Sequence, residues 1–274
     1  MGLYNVKVYE YADSYQFRMY EKPVEYSERL QKFSERSENQ TENKKDDTER
    51  TQEQKDRSDY SSRSRTVNQI YEIARANKWE YFLTITFDRK KIDSSDYDLL
   101  CSKVSKWINN IRSRYAPDLK YLLVPELHKD GVHYHFHGLL SNIGNMRLTD
   151  STVKIRGQQI YNLENWKYGF STVSKIKDSG RASSYLVKYI TKELCAVSMG
   201  KKRYWCSRNL DRPVITVYNL PYEEIERILI DNLQSIRHTS ESVISSCGMS
   251  VTYIEMTKGE IWKKEKLLKN DCKN

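Results

Sequence analysis

Residues 121–140, YLLVPELHKDGVHYHFHGLL, hold four of the chain's five histidines together with Glu126. Two imidazoles and a carboxylate can hold a divalent ion while leaving coordination positions open for water or substrate, which is what catalysis at an ion needs. A closed structural zinc site is a poorer reading, because no cysteine lies nearby and such sites draw on cysteine at regular spacing. For His135-Phe136-His137 alone, a polar sheet face with scattered histidines is the simpler account, and it is Glu126 that turns the reading toward an ion. A second chemical group follows in RASSYLVKYITKELC, residues 181–195, where Tyr185, Lys188 and Tyr189 lie close together. A phenol ionises near pH 10 and is a poor nucleophile at neutral pH unless a cation or base favours the phenolate. Lys188, one turn from Tyr185 and adjacent to Tyr189, could do that or contact a phosphate.

These residues need elements to position them. Asp130-Gly131 marks a turn between two strands, and a four-residue loop, 129–132, spares Pro125 a pairing that would need its missing N–H. The pairing sets Glu126 opposite His135, Val124 opposite His137 and His128 opposite His133. Alternation then puts Glu126, His128, His133, His135 and His137 on one face and Leu123, Leu127, Tyr134 and Phe136 on the other. Glu126, His135 and His137 are the expected ion ligands, with His128 or His133 as a weaker substitute or outer support. At 100° per residue, Tyr185, Lys188, Tyr189 and Lys192 fall within a wedge of roughly 100° of a helix, with Leu186, Val187, Ile190 and Leu194 opposite. Packing is the ordinary role of a helical tyrosine; two among lysines are better placed to meet a phosphate.

The rest of the chain bounds the possibilities. Its 274 residues can bury a real core. Five cysteines, odd in number and without a C-x-x-C, argue against a disulfide framework and for a reducing compartment. No apolar run approaches membrane-spanning length and the N-terminus lacks a signal-peptide core, so a soluble, cytoplasmic protein with no membrane association is expected. The net charge is +9, and it is uneven: residues 1–65 hold 13 Lys+Arg against 14 Asp+Glu, leaving 33 against 23 for the remainder. That excess, interleaved with tyrosine and tryptophan, suits phosphate contacts and base stacking.

Taken in order, residues 1–26 read as a β-hairpin-like segment. Residues 27–65 are polar and charged, and cannot offset their ordering entropy, so a disordered or loosely helical linker is expected. Order resumes at Thr66 with a helix through Ile70 and Ala74, then the strand YFLTITF, then a helix capped by Asp93 or Ser94 and running to about Tyr115. YGFSTVSKI reads as a further strand. Its neighbours Lys154, Arg156, Trp166, Lys167, Tyr168, Lys175 and Lys177 fit a solvated basic edge or a DNA-facing one equally. Residues 66–220 are thus expected to form one α+β domain, a central antiparallel β-sheet with helices packed on one side and the other face free for the ion. Residues 221–274 read as a helical and basic extension.

With FLTITF (82–87), Glu126, HFHGLL (135–140) and YLVKYITK (185–192) in this order, the chain resembles the HUH-superfamily rolling-circle replication initiators of phages, plasmids and circular single-stranded DNA viruses. The motifs span roughly residues 79–195. The resemblance implies a Mg²⁺- or Mn²⁺-dependent nickase and strand transferase. Such an enzyme attacks single-stranded or hairpin origin DNA with tyrosine, stays on the 5′ phosphate and leaves a 3′ hydroxyl for a polymerase. It implies Glu126, His135 and His137 as metal ligands, Tyr185 and Tyr189 as nucleophiles with Lys188 beside them, and work in a bacterial host cytoplasm. No G-x-x-x-x-G-K-[ST] occurs, so a host helicase would be needed as well as the host polymerase. An HUH transposase or mobilisation relaxase, and a DNA-binding regulator without catalysis, stand as the alternatives.

Overall fold

The computed structural model describes residues 2–26, 52–189, 198, 201–244 and 248–258. The chain divides into two compact units, one from its two ends (1–49 and 213–274) and one from residues 50–212. The architecture is α+β, with one antiparallel sheet in each unit.

In the larger unit, helix α1 (Gln52–Ala76) leads to β3 (Tyr81–Phe87), α2 (Tyr97–Arg114), β4 (Lys120–Leu127) and β5 (Tyr134–Ser141). A hairpin, β6 (Leu148–Ile155) and β7 (Gln158–Leu163), precedes β8 (Gly169–Lys175), α3 (Ser179–Leu186), a 3₁₀ turn at Val187–Tyr189 and the short β9 (Trp205–Cys206). The sheet order is β6-β7-β8-β3-β5-β4-β9. β5 is central because HFHGLL carries an apolar set on each side of the strand, so both of its edges and both faces can be buried; Phe136, Leu139 and Leu140 are all closed from solvent. Helix α2 presents Leu100, Val104, Trp107, Ile108 and Ile111 as a buried stripe to the sheet face carrying Leu83, Ile85 and Phe136. Each such side chain contributes about 1.5–3 kcal/mol on burial.

The first helix begins at Gln52 rather than Thr66, so the second half of the expected linker is helical; residues 27–51 lie outside the described residues. Gln, Glu, Lys and Arg favour helix, and a helix already nucleated on Ile70 and Ile73 extends at little cost. Arg203 Nη1 also donates to Ser62 Oγ at 2.8 Å, tying the polar half down. The cap of α2 is Asp96, which accepts from Leu99 N. Asp93 is occupied instead by Ser95. The sheet also has no wholly free face. Leu122, Val124 and Leu139 are fully buried on the ligand side, and α3 and the 3₁₀ turn contact β5 and β4 there. An alternation that turns apolar toward the strand middle on both faces requires cover on both.

In the smaller unit, β1 (Gly2–Glu10), β2 (Ser14–Tyr26), β10 (Val214–Tyr218), β11 (Ile236–Ile244) and β12 (Met249–Thr257) form a sheet in the order β10-β1-β2-β12-β11. Val6, Val8, Phe17, Ile254 and Met256 make its core, against which Ile225 and Leu229 of α4 (Tyr222–Asp231) pack. The helical stretch expected over residues 222–236 is present as α4 and a 3₁₀ turn at Leu233–Ser235, and the β11–β12 hairpin follows it. The expected N-terminal hairpin is the middle of a sheet: Asn5 holds Leu220 through both amide atoms, at 2.7 and 2.9 Å. The basic end, 262–274, lies outside the described residues.

Candidate functional site

The hairpin register is the expected one. Val124 pairs with His137 and Glu126 with His135, and His128 N donates to His133 O across a turn over residues 129–132. Gly131 takes φ +71° there, where a side chain would be strained. Pro125 pairs with Phe136 in the hairpin.

This pairing brings three donor atoms together. His135 Nε2 lies 2.5 Å and His137 Nε2 2.8 Å from the same oxygen, Glu126 Oε2, and the three ligand atoms all lie within 4.8 Å of one another. The donor set fits a hard or borderline divalent ion with open coordination positions. Burial pushes the His137 imidazole down to about 4, against the opposing pull of Glu126, and His135 is lowered for the same reason. Both rings are therefore neutral at pH 7, with lone pairs available to an ion.

Histidines 128 and 133 are engaged elsewhere. Asp130 accepts from the N–H groups of Val132 and His133, both at 3.0 Å, and its Oδ2 lies 2.8 Å from His133 Nδ1 and 3.1 Å from Arg89. These bonds hold its carboxyl well below the usual range. His133 thus braces the loop and is outside the three-residue group, as is His128, whose ring is 5.8 Å from His135.

The tyrosines arrive on α3 and the 3₁₀ turn. Asp178 caps α3 by accepting from Arg181 N at 3.1 Å, and Ser179 Oγ accepts from Trp79 N at 3.1 Å, fixing the helix start against the end of α1. Leu186 is fully buried, as the expected apolar side requires; Ile190 and Leu194, with Lys192, lie outside the described residues. The helix tightens at Val187, so Tyr189 falls on a 3₁₀ turn and not on the regular α-helix expected. Its ring stacks on His137, centroids 3.7 Å apart and planes at 14°. Tyr185 meets Tyr189 edge-on at 5.4 Å and is 47% exposed, with Lys188 Nζ 5.4 Å from its ring centroid. Burial, then the neighbouring Tyr185 and Glu126, raises the Tyr189 phenol far above its ordinary value.

Two residues of β3, inside the FLTITF motif but given no role of their own from sequence, complete the group. Thr84, opposite His137, has its Oγ1 2.9 Å from His137 Nδ1; with Nε2 turned to an ion, Nδ1–H donates to that hydroxyl and fixes the ring. Phe82 packs between His137 (5.8 Å), Tyr185 (5.4 Å) and Tyr189 (6.4 Å). The alternation of Phe82, Thr84 and Thr86 with buried Leu83, Ile85 and Phe87 was the available signal. Farther along, Glu126, His135, Thr86 and Phe170 form one row across β4, β5, β3 and β8, and Phe170 is 73% exposed.

No curated protein and no solved structure matches the chain. Residues 80–194 match the model of a family described as Replication-associated protein ORF2/G2P. Over this stretch, which carries Glu126, His135, His137 and both tyrosines, the chain is similar to the replication-associated proteins of that family.

Proposed function

We propose that this protein is a rolling-circle replication initiator, a metal-dependent tyrosine endonuclease and strand transferase acting on single-stranded or hairpin origin DNA. The observation that carries this reading is the stacking of Tyr189 on His137 with Tyr185 at its edge, which sets two phenols beside a Glu/His/His group. The similarity to replication-associated proteins supports the biological role. The unit of residues 50–212 is the endonuclease domain in this reading, and it works in the cytoplasm of a bacterial host with a host helicase and polymerase. Among the described residues no helix is long and apolar enough to cross a membrane.

Glu126, His135 and His137 would hold Mg²⁺ or Mn²⁺, which when bound would polarise a non-bridging phosphate oxygen. Tyr185, exposed and next to Lys188, is the initiating nucleophile. Its Oη bonds to phosphorus as the P–O3′ bond breaks, the phenolic proton passes to water, and the leaving 3′ oxygen takes a proton from water to become a hydroxyl. The 5′ phosphate stays on the enzyme as a phosphotyrosine ester. Lys188 offsets the negative charge that develops. Tyr189 is the second nucleophile, taking part when the ends are rejoined. The exposed half of the site face, with Phe170 and Thr172, gives unpaired bases a surface to lie on.

The deciding experiment incubates the protein with single-stranded oligonucleotides from its replicon and Mn²⁺, then maps any covalent peptide–nucleotide adduct. The expected product is a tyrosine adduct on a 5′ phosphate together with a polymerase-extendable 3′ end. His135→Ala and His137→Ala should abolish it while leaving DNA binding largely intact, since phosphate contacts come from the basic surface. Normal nicking by the double variant would overturn the metal assignment, and absence of any adduct from the wild type would overturn the enzyme.

A further inference from the structure

On the sheet side that carries Phe87 and Phe136, opposite the metal-ligand face, the second half of α2 and the β7–β8 connection enclose a cavity of about 370 Å³. Small-molecule sites occupy about 300–1,000 Å³. Its inner wall is aromatic, from Trp107 and Tyr168, and Arg114, Arg147 and Lys167 line it with a single carboxylate, Glu164. Three cations against one anion leave a formal charge of +2. Among the described residues none of the three cations is in an ion pair, and a concave, low-dielectric wall concentrates the field of such charges.

The walls are rigid. Trp107 Nε1 donates to Asn165 O at 3.1 Å, Arg147 N donates to Asn165 Oδ1 at 2.8 Å, and Glu164 N donates to Arg147 O at 3.0 Å. Trp107, Trp166 and Tyr168 interlock edge to face, each successive pair 5.2 Å apart. Lys103 Nζ lies 5.5 Å from the Tyr168 ring centroid and adds to the positive field. Both acceptors of Asn165 are thereby used, which leaves its Nδ2 as a donor to a ligand. A cationic rim, a planar aromatic wall and an amide donor match the three parts of a nucleotide: phosphate, base face and base edge.

We propose that this cavity is a nucleotide-phosphate site, with phosphate held by Arg114, Arg147 and Lys167 and the base against Tyr168 and Trp107. It lies apart from Glu126, His135 and His137 and does not depend on the reading of that site. The nucleotide has two sources, a free nucleoside phosphate or one unit of a DNA strand, and the test separates them.

Binding of a fluorescent ADP and of a labelled short oligothymidylate to the full chain is followed by anisotropy in EDTA, which keeps ion chemistry at the other site silent. Arg114→Glu/Arg147→Glu should weaken saturable binding of at least one probe by about tenfold or more, as expected for losing two charge-assisted contacts. Lys78→Glu/Lys90→Glu, the same charge change at exposed positions elsewhere on the unit, should weaken it less than about threefold because dispersed surface charges are screened. Loss of ADP binding without competition by the oligothymidylate identifies a free nucleotide; displacement of ADP by the oligothymidylate, or loss of oligothymidylate binding alone, identifies a strand. Wild-type binding of both probes by the cavity variant, an equal loss in the two double variants, or no saturable binding of either probe overturns the inference. All four substituted side chains are exposed, and thermal unfolding checks that the variants are folded.

Discussion

Thr84 is the residue on which the geometry of His137 turns. Its hydroxyl holds Nδ1, and such supports are worth about 10–100-fold in metal affinity. Thr84→Val should weaken Mn²⁺ binding by about that factor in titration calorimetry, with unchanged stability of the fold; unchanged affinity would remove Thr84 from the site. His137 carries a pH dependence of definite sign. Unfolded, it takes up a proton near 6.5, whereas in the fold burial delays that step to about 4. The unfolded chain thus binds more protons in between, and metal-free stability should fall as pH drops from 6.5 to about 4. Thermal unfolding should show a smaller fall for His137→Gln than for wild type; an equal fall would assign the titration to other groups. The tyrosines divide by exposure. Tyr185→Phe should prevent the first covalent adduct, whereas Tyr189→Phe, which keeps the stacked ring on His137, should nick normally and rejoin poorly. Adduct formation by Tyr185→Phe with none from Tyr189→Phe would reverse the order.

Two glycines test how closely β5 fits against β4 and β8 against β3. A methyl group at Gly138 would fall on the Cδ2 end of Leu123, with Leu122 O 3.0 Å away; at Gly169 it would fall on Thr86 O and Asp88 N, which are backbone. A side-chain end can move, while a paired strand moves only by giving up its ladder bonds. Gly138→Ala should cost about 1–3 kcal/mol, the usual overpacking range, and Gly169→Ala more. Urea unfolding of the two variants measures this, and an equal or reversed order would show that β3 and β8 yield more easily than their pairing suggests. Because Gly138 adjoins His137, its alanine variant should also bind Mn²⁺ more weakly.

The whole molecule is two units with separate cores, and the candidate site, its cover and the cationic cavity all belong to residues 50–212. A fragment of residues 50–212 should therefore unfold in one cooperative transition and bind Mn²⁺ with the affinity of the full chain. Loss of the transition, with the intact protein unfolding as a single step, would show that the two units depend on each other for stability.

Features whose physics is local were readable from the chain alone. Pro125, Asp130-Gly131 and the alternation between Glu126 and His137 specify the hairpin register, because a slip of one residue would turn Glu126, His135 and His137 into the core. The α2 stripe from Leu100 to Ile111 and the apolar side at Leu186 were legible for the same reason, being properties of one element's period. Tertiary structure alone decided what meets what. Periodicity names a face but not its partner, so Thr84 and Phe82 became site residues only when β3 paired with β5. The tightening at Val187 that lays Tyr189 on His137 follows from packing, not propensity. The pairing of β1 with β10 is held by Asn5 and Leu220, 215 residues apart. No local pattern encodes such a contact; it forms because two half-buried strands distant in sequence each need an edge and a face that only the other supplies.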